Sequence, residues 1–193
     1  MRVIVAITGG SGVIIAQRLL QNLSQHEVHL VVSDAAEKVV AYELTDPSLP
    51  ATFRYAESAI DACLSSSSYP IDAMVIVPCS MKTLAAVATG YADNLIVRAA
   101  ENAQRMGRKL VLVPRETPLS LAAIENMRSV RLAGGIILPP SVAYYFQPRT
   151  VDDITDFFVG KILDVLGIEH SLYRRWAGSA AFEMIEEEIR HVR

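Results

Sequence analysis

The sequence predicts an α/β protein in which a doubly wound parallel sheet is covered by helices on both faces, giving three α/β/α layers. Short, nearly continuous apolar runs alternate with amphipathic segments along the chain. This alternation is typical of parallel strands that are buried on both faces. The first apolar run ends in a glycine-rich turn at 9–12, which is typical of a strand that leads directly into a helix. The 193 residues suit one domain, so we expect a single domain over 1–193.

The first strand is expected at 3–7, and an apolar-periodic helix follows it through Leu23. Four further apolar runs predict strands, at 27–32, 73–77, 109–113 and 135–138. The periodic segments between and after them predict helices, at 34–44, 82–88, 95–105, 119–133 and 152–166. Thr150 and Asp153 have the spacing of a capping box for the last helix. Segment 46–69 contains two prolines and a serine run, which predicts a mobile loop.

Composition and charge exclude several classes of protein. Hydrophobic residues make up 51% of the chain, yet no apolar run approaches the roughly 18 residues that a membrane span needs. No signal-peptide pattern follows Arg2, so we expect a cytoplasmic protein without membrane contact. Cys63 and Cys79 have neither disulfide-framework nor metal-ligand spacing, which predicts reduced thiols. The net charge of −3 gives no reason to expect nucleic acid as a partner.

The turn Gly9-Gly10-Ser11-Gly12 predicts a phosphate-binding site. A tight turn before a helix leaves backbone N–H groups at the positive end of that helix, where phosphate binds readily. The dinucleotide pattern G-x-G-x-x-G is incomplete, because Ile15 stands where the third glycine would be. A mononucleotide is therefore favoured over NAD. The alternative is that these glycines serve only the close packing of helix on strand.

Polar residues follow four of the five predicted strands. Ligands of open parallel sheets bind beyond the carboxyl ends of the strands, so these residues are expected to converge on one site. The polar ends comprise the glycine turn, Ser33, the run Ser80 to Thr83, and Arg115. Serine at such places often only caps the following helix, and that alternative applies to Ser33 and Ser80.

Four ordered sequence blocks resemble the signature blocks of the flavin prenyltransferase (UbiX) family. They are ITGGSG at 7–12, VPCSMKTL at 77–84, GYADNLI at 90–96 and LVLVPRETPL at 110–119. The resemblance continues in order with LPP at 138–140, Tyr145, QP at 147–148, VDD at 151–153, LDVLGI at 163–168 and RW at 175–176. It therefore extends over essentially the whole chain.

The resemblance implies a flavodoxin-like fold that binds FMN and needs no metal. It implies that a dimethylallyl group, donated by dimethylallyl phosphate or diphosphate, is joined to N5 and C6 of reduced FMN. The prenylated flavin would serve a partner decarboxylase. Family members usually assemble as homododecamers built from trimers, with active sites between subunits. Ionisation of an allylic phosphate needs cations on the leaving group and an electron-rich, water-free wall beside the allyl cation.

The resemblance also assigns roles to residues. The expected FMN-binding residues lie at the strand ends: Gly9, Gly10, Ser11, Ser33, Ser80, Met81, Lys82, Thr83 and Arg115. The expected donor-binding residues are Arg98, Arg105, Glu116, Tyr145, Lys161 and Trp176, in which Glu116 orients Arg98 or Arg105. Glu43 is the expected base that removes the proton from C6, a role it could share with Ser11 and with the departing phosphate. For Glu43 and Trp176 the alternatives are a solvated helix end and interface packing.

Three positions depart from the family pattern, and other functions stay open. Arg105 stands where many relatives have Lys, Lys161 where some have Arg, and Ile15 where an aromatic residue is common. Arginine and lysine hold phosphate with different geometry, so the choice of donor is open. One alternative is an FMN-binding protein without chemistry. Another is a cysteine-type decarboxylase of the same fold, which is disfavoured because His26, His29, His170 and His191 lie outside the pocket-forming segments. A structural module without flavin would leave the converging polar loops unexplained.

Overall fold

In the computed structural model, residues 1–178 are described, and within them six parallel strands form one sheet. The strands are β1 Arg2–Ile7, β2 Glu27–Val32, β3 Phe53–Ala56, β4 Ala73–Cys79, β5 Lys109–Pro114 and β6 Ile136–Ile137. The helices are α1 Val13–Asn22, α2 Asp34–Glu43, α3 Met81–Thr89, α4 Leu95–Arg105, α5 Leu121–Leu132 and α6 Val151–Leu166. A short 3-10 helix covers Cys63–Ser65. His191 lies outside the described residues.

The strand order is β3-β2-β1-β4-β5-β6, and every neighbouring pair is parallel. Without the edge strand β3, this is the flavodoxin-like order, and β3 extends it to the Rossmann order. The chain moves outward from β1 to β3 and then returns to β4 beside β1. The fold class expected from the sequence is confirmed. The crevice where the order reverses lies at the carboxyl ends of β1 and β4, the usual ligand site of such sheets.

The two faces of the sheet bury two separate cores. Val3, Val5 and Ile7 of β1 pack with apolar residues of α1, α2 and α6. Ile4 and Ala6 point to the other face, where α3, α4 and α5 lie. Strand β4 is buried along its whole length, as expected for a central parallel strand. Helices α4 and α6 therefore lie on opposite sides of the sheet.

Segment 46–69, expected to be a mobile loop, contains strand β3 and the 3-10 helix instead. The prediction was wrong because β3 is short and largely exposed, with Arg54 in its middle. An edge strand pairs on one side only, so its sequence lacks the continuous apolar character of β1 or β4. β3 is held by parallel pairing of residues 53–56 with residues 29–32 of β2.

Side-chain caps begin most of the helices. Ser33, Ser80, Asn94, Ser120 and Thr150 each accept a hydrogen bond from a backbone N–H in the first turn of the following helix. The expected capping box of Thr150 and Asp153 is confirmed. Helix α1 differs, because its N-cap is Gly12 at φ 102° and brings no side chain. None of the helices within residues 1–178 combines the length and apolarity needed to cross a bilayer.

Candidate functional site

Glu43 supplies the cap that the glycine turn lacks. Its Oε2 accepts hydrogen bonds from the backbone N–H of Gly12 at 2.8 Å and of Val13 at 3.2 Å. These N–H groups are the unpaired donors at the positive end of α1, where the sequence predicted bound phosphate. The turn therefore does bind an anion, but the anion is a carboxylate at the last residue of α2. Glu43 is thereby fixed beside Ser11 at the carboxyl end of β1.

Close packing explains the first glycine of the turn but not the second. A Cβ on Gly9 would lie 2.7 Å from Cβ of Ala35, which is closer than real side chains approach. A Cβ on Gly10 would lie 3.4 Å from Pro78, a tight but ordinary contact. The N–H of Gly10 is bound to the carbonyl of Thr8 at 2.7 Å. The packing alternative therefore accounts for Gly9. Here the end of β1 packs closely on the first turn of α2.

The predicted hydroxyl groups meet where β1, β2 and β4 end. Ser33 caps α2, and Ser80 caps α3 by accepting from the N–H of Thr83 at 3.2 Å. Ser80 also donates to Oγ1 of Thr83 at 3.0 Å, so the Thr83 hydroxyl proton is left to donate elsewhere. The capping alternative is correct for both serines. It does not exclude a ligand contact, because the Ser33 and Thr83 hydroxyls each keep a proton to donate and the Ser80 oxygen can still accept.

Three further predicted donors stand unengaged at the same edge of the sheet. In the part of the chain that the structure describes, no hydrogen bond or ion pair joins the side chains of Ser11, Lys82 or Arg115 to the protein. All three residues are exposed, and Met81 beside Lys82 is half-buried. Such donors suit the phosphate and ribityl groups of FMN. The residues that are present therefore fit the expected flavin.

The expected orientation of cations by Glu116 is not found within one chain. Glu116 accepts from the N–H of Thr117 at 3.0 Å. Arg98 pairs instead with Glu101 at 2.7 Å and donates to the carbonyl of Ser65, and Arg105 donates to Oδ1 of Asn102 at 2.7 Å. These partners lie within α4 or the neighbouring 3-10 helix, because side chains three residues apart on a helix meet.

Five of the six residues expected to bind the prenyl donor fall into two groups on opposite faces of the sheet. Arg98 and Arg105 lie on α4, while Tyr145, Lys161 and Trp176 lie on the face covered by α6. Tyr145 packs edge-on against Trp176 with ring centroids 5.8 Å apart. Lys161 projects from α6 with its side chain 46% exposed. One chain thus brings Tyr145 against Trp176 and places Lys161 on the same face of the sheet, but it does not add the two arginines.

Two residues outside the expected set organise the crevice. Thr8 Oγ1 donates to the carbonyl of Pro78 at 2.9 Å and accepts from the N–H of Ser80 at 2.7 Å, which joins the ends of β1 and β4. Glu57 accepts from the N–H of Asp34 at 3.0 Å and from Nδ2 of Asn94 at 3.3 Å, which joins the starts of α2 and α4. Thr8 could have been found as the first polar residue after β1. Glu57 could not, because it follows the unrecognised strand β3.

No group of three or more His, Cys, Asp or Glu side chains among residues 1–178 is arranged to hold a metal ion. Cys79 is buried under the crevice, and burial raises the pKa of its thiol well above the usual range. Cys63 is exposed, and neither cysteine forms a disulfide.

Comparison with known proteins decides the family. Residues 1–163 match the family model Flavoprotein. The flavin prenyltransferase UbiX of Methanocaldococcus jannaschii is 45% identical over 181 residues, which cover 91% of this chain and 98% of that protein. The chain belongs to the flavin prenyltransferase family. The UbiX protein of Methanothermobacter thermautotrophicus is 46% identical over 184 residues, covering 91% of this chain and 95% of that protein.

Solved structures of the family superpose closely. AnUbiX in complex with FMN and dimethylallyl pyrophosphate has a TM-score of 0.89 and 38% identity, covering 92% of this chain and 98% of that one. A dodecameric FMN-dependent UbiX-like decarboxylase from Escherichia coli O157:H7 has a TM-score of 0.88 and 41% identity, covering 93% and 100%. The cysteine decarboxylase TvaF shares the fold at a TM-score of 0.60 with 16% identity. The fold and family expected from the sequence are confirmed.

Proposed function

We propose that this chain is a flavin prenyltransferase that joins a dimethylallyl group to N5 and C6 of reduced FMN. One observation carries the proposal. The β1/β4 crevice gathers hydroxyls, unengaged cationic donors and the carboxylate of Glu43, in a chain that matches a relative bound to FMN and dimethylallyl pyrophosphate. An FMN carrier would need the hydroxyls and cations of this crevice but not a fixed carboxylate.

FMN is assigned to the carboxyl edge of the sheet. The hydroxyls of Ser33, Ser80 and Thr83, with Lys82 and Arg115, would hold its phosphate and ribityl groups. Gly9, Gly10, Ser11 and Met81 would line the approach of the ring. When bound in reduced form, the flavin supplies two nucleophilic atoms. The protein's part is to place them, exclude water and handle phosphate and proton.

Cations from two subunits would bind the leaving phosphate. Tyr145 and Lys161 present a hydroxyl and an ammonium on one face, and Arg98 and Arg105 present guanidinium groups on the other. Both faces can meet one phosphate only if α4 of a neighbouring subunit approaches the α6 face. We therefore place the donor site between subunits, with Glu116 of one subunit free to orient an arginine of another. Preorganised cations at a departing anion lower the barrier to ionisation.

Glu43 would remove the proton from C6 while it remains bound to the turn. Its Oε2 is engaged by Gly12 and Val13, which leaves Oε1 to accept the proton. Ser11, beside it, would donate to the same carboxylate or to the substrate. Trp176 and Tyr145 would form the aromatic wall beside the allyl cation.

The proposal extends to assembly and product use. We infer a trimer-based homododecamer, in line with the dodecameric relative and with exposed apolar residues such as Leu121 and Ile124 on α5. The product would pass to a decarboxylase that uses prenylated FMN, and we place the reaction in the cytoplasm.

The test is mass spectrometry of the flavin after anaerobic incubation with reduced FMN and either dimethylallyl phosphate or diphosphate. We expect the flavin to gain one five-carbon unit with at least one donor. If FMN binds but stays unmodified with both donors, the protein is an FMN carrier and the proposed transferase activity is wrong.

A further inference from the structure

One carboxylate holds the segment that follows α6. Residues 168–176, here called the C-terminal strap, fold back beside the helix. Asp164 accepts from the Tyr173 hydroxyl at 2.6 Å, from Nη2 of Arg175 at 2.6 Å and from Nε2 of His170 at 3.0 Å. The N–H of Leu172 donates to Nδ1 of His170 at 3.2 Å, so the same ring joins the backbone of the strap to Asp164.

The charge state of Asp164 agrees with this role. Partial burial acts to raise its pKa, but the hydrogen bonds from Arg175, Tyr173 and His170 outweigh burial and hold the pKa well below its usual range. Burial and the bond to Asp164 raise the pKa of Tyr173 to about 12. The carboxylate therefore stays ionised, and the Tyr173 hydroxyl stays protonated as its donor.

The strap packs directly against the aromatic residues of the donor site. A Cβ on Gly160 would lie 2.6 Å from the Tyr173 ring and 2.7 Å from His170, so α6 leaves room for the strap at this position. Tyr173 packs edge-on against Phe157, with ring centroids 4.9 Å apart. Phe157 in turn packs edge-on against Tyr145, with ring centroids 6.4 Å apart. Trp176, which follows Arg175 directly, packs edge-on against Tyr145.

Asp164 also sets the electrostatic surroundings of Lys161. Its Oδ2 lies 3.7 Å from Nζ of Lys161, one turn earlier on α6. Arg175 is nearer, at 2.6 Å, and meets the carboxylate with a charged hydrogen bond. Asp164 thus pairs more closely with Arg175 than with Lys161, whose side chain is 46% exposed, so the ammonium can still bind an anion.

We propose that Asp164 is a positioning residue for prenyl transfer. By binding His170, Tyr173 and Arg175, it places Trp176 against Tyr145 and keeps Lys161 available to the donor phosphate. The inference rests on the proposed function for the roles of Lys161, Tyr145 and Trp176. The placement of Trp176 itself is independent of that function.

The first arm of the test reports the strap without any activity. Trp176 is the sole tryptophan of the chain, so intrinsic fluorescence observes the strap alone. In purified oligomers, Asp164→Ala should shift the emission maximum and increase quenching by acrylamide. Asp156→Asn is the matched control, because Asp156 lies on the same helix with the same 22% side-chain exposure and pairs with Arg18 instead. Tyr173→Phe, which keeps the ring, should give a smaller shift in the same direction.

The second arm measures donor kinetics and FMN affinity. Loss of the charged hydrogen bonds should raise KM for dimethylallyl phosphate about tenfold or more in Asp164→Ala, with FMN affinity unchanged. Asp164→Asn, which keeps an acceptor for Arg175, should recover part of the loss. Unchanged Trp176 fluorescence in both Asp164 variants would overturn the proposal, as would altered fluorescence with parental donor kinetics. If the parent itself makes no product while fluorescence shifts, the proposed function fails and the placement of the strap stands.

Discussion

Glu43 serves a helix and, in our proposal, a reaction through the same carboxylate. Its contact with the turn at Gly12 joins residues 31 positions apart in sequence, and it replaces the phosphate that the turn alone predicted. The polar ends of the strands could be foreseen, because parallel strands place their carboxyl ends at one edge. The contact between Glu43 and α1 could not, since only the packing of α2 beside the turn brings the two together.

The variant Glu43→Gln separates the two roles. Glutamine keeps an acceptor for the N–H groups of Gly12 and Val13 but loses the charge, so unfolding free energy should fall by only about 0.3–1 kcal/mol. Product formation should fall on the order of 10²-fold or more, because the base is lost, with FMN binding retained. Mass spectrometry measures the product yield, FMN titration measures the affinity, and urea unfolding measures the stability. Glu37→Gln on the same helix is the control, and parental turnover in Glu43→Gln would reduce Glu43 to a helix cap.

A second residue-scale prediction concerns acid stability. Glu27 accepts from Nε of Arg2 at 2.6 Å and from Nε2 of His29 at 2.9 Å, and the bonds from Arg2 and then His29 lower its pKa from 4.5 to about 2. A depressed carboxyl pKa stabilises the fold above pH 4.5, and this stabilisation disappears as the pH falls toward about 2. Urea unfolding should show Glu27→Gln less stable than the parent at pH 7, with the gap closing over that range. A gap independent of pH would contradict the assignment.

At the scale of elements, the buried strands could be predicted from the sequence and the exposed one could not. The strands β1, β2, β4 and β5 have continuous apolar sequences because both faces are covered, and all were foreseen within a few residues. The starts of α2, α3, α4 and α6 were foreseen to within one residue, whereas α5 begins at Leu121, two residues later than expected. Strand β3 was missed because an exposed edge strand places little demand on its sequence.

The packing of the glycine turn on α2 gives a prediction at this scale. Gly9→Ala should destabilise the fold by about 1–3 kcal/mol, because the new Cβ would overlap Ala35. Gly10→Ala, which meets Pro78 at an ordinary distance, is the control and should cost less. Adding Ala35→Gly to Gly9→Ala should restore part of the loss. Thermal unfolding measures the stability of all three variants. If Gly9→Ala is as stable as the parent, Gly9 and Ala35 are not in close contact.

For the whole molecule, the sheet separates the residues that we propose bind the prenyl donor. Arg98 and Arg105 lie on α4, which packs on one face, whereas Lys161 on α6 and Tyr145 lie on the other. The sequence predicted that these residues share one site. A family pattern carries no information on which subunit supplies each residue. The structure separates them, and this separation is the physical reason to expect a site built between subunits.

Mixed oligomers test this account most directly. Arg105→Ala and Lys161→Ala are co-expressed with different tags, and doubly tagged oligomers are assayed for prenylated FMN by mass spectrometry. Each variant alone should make little product, while random mixing of a site shared by two subunits should restore about a quarter of the parental yield. A site within one chain would contain one defect in every copy. Mixed oligomers that assemble and bind FMN yet give no more product than the single variants would contradict the account.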